Sequence, residues 1–395
     1  MLQNLDKLKG IDVRNSVNLT QIPDLSCAQN LETINLENCT SLLEVPWHIL
    51  QNLNKLLDVN LSNCQKVESF PDRMDARGLK TLNLSGCRNL KTVPDIISGN
   101  LVSLNLSSTA IVNVPSSIGS IKTLSELFLK NCEFLKSLPT SIRQLKSLET
   151  LWLVGCYSLE KFPELPMNIN NLSLSGTGIK EVPASFIENR SCLHKIDISD
   201  CKTLESLPSN IFELPSLTFL NLSGCSNLEN LPEISSHVES NLQFFVLDGT
   251  GIRCLPSSIG NLNNVEELEM HKCKSLEFVG NTSSLSLSSL KFLSLKNCER
   301  VQCLSHLPLS LEYLDATGCS SLDIVLDSTS NEFKKRFWDH SCKIEFGTFD
   351  YSVFSECLRL DQSAVDNIIT LFQLKALQMA TQYVAPKYIQ VFVCM

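Results

Sequence analysis

The chain has 395 residues and a formal net charge of −9, a length that suits two or three average domains or one long repeat array. An acidic chain offers no general attraction for the phosphates of a nucleic acid or for an anionic membrane surface. Hydrophobic residues make up 43% of it, yet no window approaches the roughly 18 consecutive apolar residues of a membrane-spanning helix. The composition therefore argues against nucleic-acid binding and against membrane insertion.

The N-terminus and the cysteine content bear on the cellular compartment. The opening residues, MLQNLDKLKG, contain no apolar run of the kind found in a secretory signal. This predicts a protein of the cytoplasm or the nucleus. The 17 cysteines are many for such a reducing compartment, where no disulfide framework is expected.

One pattern, LxxLxLxxCxxLxxLP, recurs along most of the chain, as in LKTLNLSGCRNLKTVP and LETLWLVGCYSLEKFP. Its mean period of about 23 residues lies within the range of leucine-rich repeats, about 20 to 29 residues. The first apolar position of the fourteen units falls at Leu8, Leu31, Leu56, Leu79, Leu101, Leu124, Leu148, Ile169, Leu193, Leu217, Leu242, Val265, Leu290 and Leu311.

The pattern predicts an α/β fold, a leucine-rich repeat solenoid. Alternating apolar positions such as Leu82 and Leu84 are typical of a short strand with one buried face, so stacked units form one long parallel sheet. Segments such as PSSIGSIKTL predict one short helical turn per unit opposite that sheet. We expect residues 1–326 to form a horseshoe of about fourteen units with the sheet on its concave face.

The ninth position of the pattern accounts for most of the cysteines. We call it the slot, and we expect a small hydrogen-bond donor there because the chain turns inward and buried carbonyls need partners. Ser16 fills the slot in the first unit. The slot residues of the later units are Cys39, Cys64, Cys87, Thr109, Cys132, Cys156, Thr177, Cys201, Cys225, Thr250, Cys273, Cys298 and Cys319. The remaining cysteines, Cys27, Cys192, Cys254, Cys303, Cys342, Cys357 and Cys394, are assigned to positions outside the slot.

The concave face of such a sheet displays the variable positions of the pattern and suits protein binding. Phe128 and Trp152 occupy the same position in adjacent units, with Lys130 beside them, and exposed aromatic residues are common anchors of interfaces. Their alternative role is to stack on each other or on an adjoining domain. The further candidates are the aromatic residues Phe219, Phe244, Phe292 and Tyr313, the acidic residues Glu266, Glu267 and Glu269, and the flanking Lys195, Lys291 and Lys296.

After Val325 the period stops, so residues 327–395 are assigned to a separate C-terminal segment. Its first part, STSNEFKKRFWDH, predicts a helix capped by Ser328 or Ser330. A second, amphipathic helix is expected behind Ser363, with Val365, Ile368, Ile369, Phe372 and Ala376 on one face. The final YIQVFVCM is expected to form a strand.

We find no motif for catalysis or for a cofactor. No glycine is followed by lysine, so a P-loop is excluded, and HExxH, GxSxG and GxGxxG are missing from the sequence. His271, Cys273, Cys298, Cys303 and His306 fit no zinc spacing, and neither do His194, Cys192 and Cys201. Cys357 lacks the neighbouring Asp of catalytic-cysteine ubiquitin ligases, which favours a structural thiol. No catalytic residue, cofactor or metal site is therefore expected.

The opening LKGIDVRNSVNLTQIPDLSCAQNLETINLENCTSLLEVP resembles the first repeats of plant TIR-NBS-LRR disease resistance proteins. The unit LPELPMNINNLSLSGTGIKEVP is similar to that family too, and the resemblance covers residues 1 to about 326. FDYSVFSECLRLDQSAVDNIITLF resembles the segment that opens the post-LRR domain of these receptors, with Glu356 in place of the usual Asn. Residues 327–395 would then be a partial post-LRR domain, and the TIR and NB-ARC domains are absent from this chain.

The resemblance implies a non-enzymatic recognition module of an intracellular plant immune receptor. Its partner would be a pathogen effector or a guarded host protein, and it would restrain a nucleotide switch on a TIR-NB-ARC polypeptide in cis or in trans. One alternative is a leucine-rich repeat inhibitor or scaffold that binds a host enzyme. Another is a receptor gene fragment without a function of its own.

Overall fold

The computed structural model describes residues 5, 7–23, 25–45, 53–68, 71–75, 77–97, 99–188, 192–279, 287–305, 307–308, 310–326, 350–353, 357 and 389–392. The helices expected after Ser328 and after Ser363 lie outside these residues, as do Cys342 and Cys394. The chain divides into two compact units. Unit 1 comprises Met1–Glu181 and Glu188–Cys201, and unit 2 comprises Val182–Ile187 and Lys202–Met395.

Unit 1 is a parallel-sheet solenoid. Its main sheet is formed by β1, β2, β3, β5, β7, β8, β9, β10 and β11, each strand parallel to the next in this order. A second, two-stranded sheet pairs β4 with β6. The strands are β1 Gly10–Asp12, β2 Thr33–Asn35, β3 Asp58–Asn60, β4 Arg73–Asp75, β5 Thr81–Asn83, β6 Asp95–Ile97, β7 Ser103–Asn105, β8 Glu126–Phe128, β9 Thr150–Trp152, β10 Asn171–Ser173 and β11 Lys195–Asp197.

Unit 2 has the same architecture. Its main sheet runs β12, β13, β14, β16, β18, β20 and β21, all parallel, and a second sheet runs β15, β17 and β19. The elements are α1 Ala184–Ile187, β12 Phe219–Asn221, β13 Phe244–Val246, β14 Glu267–Glu269, β15 Phe278–Val279, β16 Phe292–Ser294, β17 Cys303–Ser305, β18 Tyr313–Asp315, β19 Ile324–Leu326, β20 Asp350–Val353 and β21 Ile389–Phe392. The predicted C-terminal strand is confirmed by β21.

Each repeat packs its pattern leucines beneath its strand. In the repeat that contains β8, Leu124, Leu127, Leu129 and the slot residue Cys132 are all 0% exposed. The strand residues on either side of Leu127 point away from this core, and the same alternation recurs in the neighbouring repeats. The predicted parallel solenoid is therefore confirmed within each unit.

The expected helical turn is present in some repeats and replaced in others. Pro115 and Pro139 precede 3₁₀ turns at Ser116–Ser120 and Thr140–Gln144, and further 3₁₀ turns lie at Ser209–Glu213 and Ile259–Asn261. After Pro94, the chain instead forms β6, which pairs with β4. The prediction of one helical turn in every repeat is therefore wrong, because β-branched Ile96 and Ile97 in β6 favour extended backbone.

The residue before each slot has a left-handed backbone in all fourteen repeats, with φ between 55° and 75°. In twelve of these repeats its amide donates to a carbonyl of the next repeat, as from Asn38 to Ser62 at 2.8 Å. Glycine, asparagine, aspartate and serine fill thirteen of these positions, in accord with the tolerance of Gly, Asn and Asp for this region. Lys272, with φ 55°, is the exception.

We expect Lys272→Gly to stabilise the protein by about 0.5–1 kcal/mol, because it removes the left-handed strain that a long side chain carries. Urea unfolding followed by circular dichroism measures the shift. Lys274→Gly is the matched control, since Lys274 is also exposed and lacks a positive φ. The control should lose stability, and equal effects of the two substitutions would contradict the role assigned to the backbone.

Within the part of the chain that the structure describes, no helix is both long and apolar enough to cross a membrane.

Candidate functional site

The slot forms a ladder of buried thiols between successive repeats. Nine slot cysteines donate from Sγ to the carbonyl that lies three residues before the slot of the preceding repeat, over 2.8 to 3.3 Å. All ten slot cysteines are 0% exposed. The Thr variants bond within their own repeat, as Thr109 Oγ1 does to the Leu106 carbonyl at 2.7 Å. The slot thus satisfies buried carbonyls, as the sequence predicts.

Three of the buried slot thiols are held in their protonated form. Burial raises the pKa of Cys64, of Cys87 and of Cys319 to about 12. Because the thiolate is the reactive form of cysteine, a raised pKa lowers the reactivity of these three thiols at neutral pH.

Cys357 also belongs to this ladder, which corrects its assignment to a position outside the slot. Strand β20 pairs with β18 so that Tyr351 lies opposite Tyr313, and Cys357 follows Tyr351 by the same interval as Cys319 follows Tyr313. Its Sγ donates to the Ala316 carbonyl at 3.0 Å. The long insertion before β20 breaks the sequence period, and for that reason the repeat pattern did not reveal this position.

The sheet face of unit 1 carries the first set of predicted binding residues, Phe128, Lys130 and Trp152, which we call the Phe-Trp patch. Phe128 lies opposite Trp152 in the paired strands β8 and β9. Their ring centroids are 5.8 Å apart with an edge-to-face angle of 85°. Lys130 Nζ lies 3.3 Å above the Trp152 ring centroid, a cation–π contact within the patch. All three side chains are partly exposed.

The second set forms a row across the sheet of unit 2. Phe219, Phe244, Glu267, Phe292 and Tyr313 lie opposite one another in successive strands, and we call them the aromatic row. Phe292 and Tyr313 stack with centroids 4.5 Å apart and planes 1° from parallel. Phe244 is 38% exposed. The row therefore presents apolar rings with a single carboxylate among them.

The charged candidates lie in both units, most of them in unit 2. Lys291 Nζ donates to Glu266 Oε2 at 2.7 Å. Glu269 follows Glu267 on β14, and burial together with the charge of Asp248 raises its pKa. Lys296 is exposed in unit 2, whereas Lys195 is exposed on β11 of unit 1, where it lies opposite Asn171.

His271 makes contacts that sequence reasoning missed. Its ring Nδ1 lies 3.2 Å from Asp248 Oδ2, and its Nε2 lies 2.6 Å from Ser294 Oγ. Asp248, Glu269 and His271 could together offer three ligand atoms to a metal ion, since these atoms lie within 4.8 Å of one another. Asp248 and His271 hold equivalent positions in adjacent repeats, a signal that was available in the sequence.

The same contacts align a serine, an imidazole and a carboxylate in the order used by hydrolases. Ser294, however, is only 1% exposed, so its hydroxyl is closed to a substrate. Cys273 and Cys298, which lie near His271 in the sequence pattern, are hydrogen-bonded. Their thiols donate to the carbonyls of Leu247 and Met270. His306 lies outside the described residues.

Comparisons with known proteins agree with this architecture. A family model for leucine-rich repeats of the kind found in disease resistance protein RPS4B matches residues 144–230, and a general leucine-rich repeat model matches residues 78–99. Disease resistance protein RPS4B of Arabidopsis thaliana is 36% identical over 213 residues, which are 54% of this chain and 17% of that protein. The chain is thus similar to the leucine-rich repeats of plant disease resistance proteins. The resemblance seen in the sequence is confirmed, and the segments matched by the family models are leucine-rich repeats.

Two further comparisons define the extent of the match. Disease resistance-like protein DSC1 of Arabidopsis thaliana is 33% identical over 405 residues, which are 99% of this chain and 29% of that protein. The chain thus spans less than a third of the length of either relative. The solved structure of the Toll–Spatzle complex of Drosophila has a TM-score of 0.51 at 14% identity and covers 84% of this chain and 51% of that chain. This likeness shows the leucine-rich repeat fold alone.

Proposed function

We propose that this chain is the protein-recognition module of an intracellular plant immune receptor. It senses a pathogen effector or an effector-modified host protein, and it restrains a nucleotide switch carried by a TIR-NB-ARC polypeptide. The observation that carries the proposal is a parallel sheet, of the disease resistance repeat type, that exposes the Phe-Trp patch on its solvent-facing side. Exposed aromatic rings on a rigid sheet suit protein binding better than small-molecule chemistry.

The Phe-Trp patch has the properties of an interface anchor. Two rings and an aliphatic lysine stem lie together on adjacent strands, so little side-chain freedom remains to be lost when a partner binds. The patch is partly exposed, while the leucines beneath it are fully buried. A partner can therefore cover these rings without disturbing the repeat core.

The proposal is tested by co-expression of the full chain with a TIR-NB-ARC polypeptide, followed by affinity purification. We expect the two polypeptides to co-purify, and we expect Phe128→Ser with Trp152→Ser to reduce the recovered partner about tenfold or more, as removal of interface anchors does. The variant should keep its circular dichroism spectrum, since both side chains lie outside the core.

Phe134→Ser with Tyr157→Ser is the matched control, because it also removes two aromatic rings, which are 57% and 62% exposed and lie in turns after the slot. This control should recover the partner as well as the native chain does. Failure of the native chain to co-purify would overturn the receptor proposal. Equal recovery with the two double variants would place the surface elsewhere.

A further inference from the structure

The aromatic row of unit 2 differs from the Phe-Trp patch in whether a cationic side chain contacts its rings. In the patch, Lys130 already covers the face of Trp152 at 3.3 Å. Over Phe244, Phe292 and Tyr313, no lysine or arginine lies in cation–π contact within the described part of the chain. The faces of Phe244, Phe292 and Tyr313 are thus open to a cation supplied by a partner.

The carboxylates of β14 make no ion pair with a lysine or an arginine among the described residues, and His271 is the ring that lies near Glu269. Glu266 is paired with Lys291, but among the residues with described positions no lysine or arginine lies within 4.0 Å of Glu267 or Glu269. Glu267 is flanked in register by Phe244 on one side and Phe292 on the other. A carboxylate between two aromatic side chains can accept hydrogen bonds from a cation that also contacts the rings.

Glu269 lies two residues after Glu267 on the same strand. Burial and the nearby Asp248 raise its pKa, and His271 offsets part of that effect. A cation brought by a partner would relieve the repulsion from Asp248. Glu267 and Glu269 lie on the same face of β14, about 7 Å apart along the strand.

We propose that the aromatic row together with Glu269 binds an arginine-bearing extended segment of a partner protein. This inference rests on the proposed function and specifies the chemistry of the partner. A guanidinium is planar, stacks on aromatic rings and donates two hydrogen bonds to one carboxylate, whereas a lysine ammonium does so less well. Two arginines separated by one residue in an extended segment match the spacing of Glu267 and Glu269.

The probe is a fluorescein-labelled, otherwise Gly/Ser decapeptide with arginine at two alternate positions, titrated with the full chain and followed by fluorescence anisotropy. We expect binding at about 50 mM NaCl that weakens at about 300 mM, since the contacts are partly ionic. The same peptide with citrulline should bind at least about fivefold more weakly, because citrulline keeps the shape and loses the charge. The same peptide with lysine in place of arginine should have an affinity between those of the arginine and citrulline peptides.

The decisive variant is Glu267→Gln with Glu269→Gln, which removes both charges with little change in shape. We expect it to weaken arginine-peptide binding at least about fivefold. Glu133→Gln with Glu160→Gln removes two exposed carboxylates of unit 1 and should leave binding unchanged. Equal binding by the β14 variant and the native chain, or equal binding of the arginine and citrulline peptides, would overturn the proposal.

The result of the peptide titration can be told apart from the result of the co-purification that tests the proposed function. If the native chain captures the TIR-NB-ARC polypeptide but ignores the arginine peptide, arginine recognition is wrong and the receptor proposal stands. If the peptide binds through Glu267 and Glu269 while the TIR-NB-ARC polypeptide is not captured, the surface chemistry is supported and the receptor proposal fails.

Discussion

Replacing Cys156 with lysine is expected to unfold the repeats around it. Cys156 is 0% exposed, and its Sγ donates to the Leu129 carbonyl at 3.0 Å. A lysine there must place its ammonium among buried leucines or force the repeats apart, at a cost of several kcal/mol. That is a large share of the roughly 5–15 kcal/mol that stabilises a typical folded domain.

Thermal and urea unfolding followed by circular dichroism measure this effect. Tyr157→Lys is the matched control, since Tyr157 is the next residue and is 62% exposed, and it should unfold like the native chain. Cys156→Ala should lose only about 1 kcal/mol, because the Leu129 carbonyl loses its donor but no charge is buried. Native-like melting of Cys156→Lys would contradict the role given to the slot.

The protein is expected to lose stability at alkaline pH. Burial raises the pKa of Cys64, Cys87 and Cys319 to about 12, from an ordinary value of 9.0. Between these values the unfolded chain releases thiol protons that the folded chain retains, so stability is full below pH 9 and falls as the pH rises. Within that window, each such thiol lowers the free energy of unfolding by about 1.4 kcal/mol per pH unit.

Urea unfolding at pH 8, 9 and 10 in the presence of a reductant measures the loss, which we expect to reach about 4 kcal/mol at pH 10 for these three thiols together. Cys64→Ser keeps a small donor that does not titrate. Its loss of unfolding free energy between pH 8 and pH 10 should therefore be smaller by the contribution of one thiol. A free energy of unfolding that stays constant from pH 8 to pH 10 would show that the slot thiols ionise freely.

The repeat architecture could be predicted because one constraint recurs in every unit. Leucines at fixed intervals bury one strand face, and the slot requires a small donor, so period, register and burial all follow from the pattern. The opposition of Phe128 and Trp152 was predictable for the same reason, since equivalent positions of adjacent repeats lie opposite each other in a parallel sheet.

Other features depend on geometry that the pattern does not encode. The contact of Lys130 with the ring of Trp152 depends on side-chain rotamers, and the approach of Asp248 to His271 depends on where each chain leaves its strand. Cys357 was missed because a long insertion separates it from Cys319, although the hydrogen bond to Ala316 extends the same ladder. The choice of 3₁₀ turn or strand after each proline varies with a few local residues.

The central claim is that the sheet face, and not the turns, meets the partner protein. Hydroxyl-radical footprinting of the full chain, alone and in its complex with the TIR-NB-ARC polypeptide, tests it by comparing oxidation rates of individual aromatic side chains. We expect Phe128 and Trp152 to become protected in the complex, while Phe134 and Tyr157 keep their oxidation rates. Protection of Phe134 and Tyr157 with unchanged oxidation of Phe128 and Trp152 would contradict it.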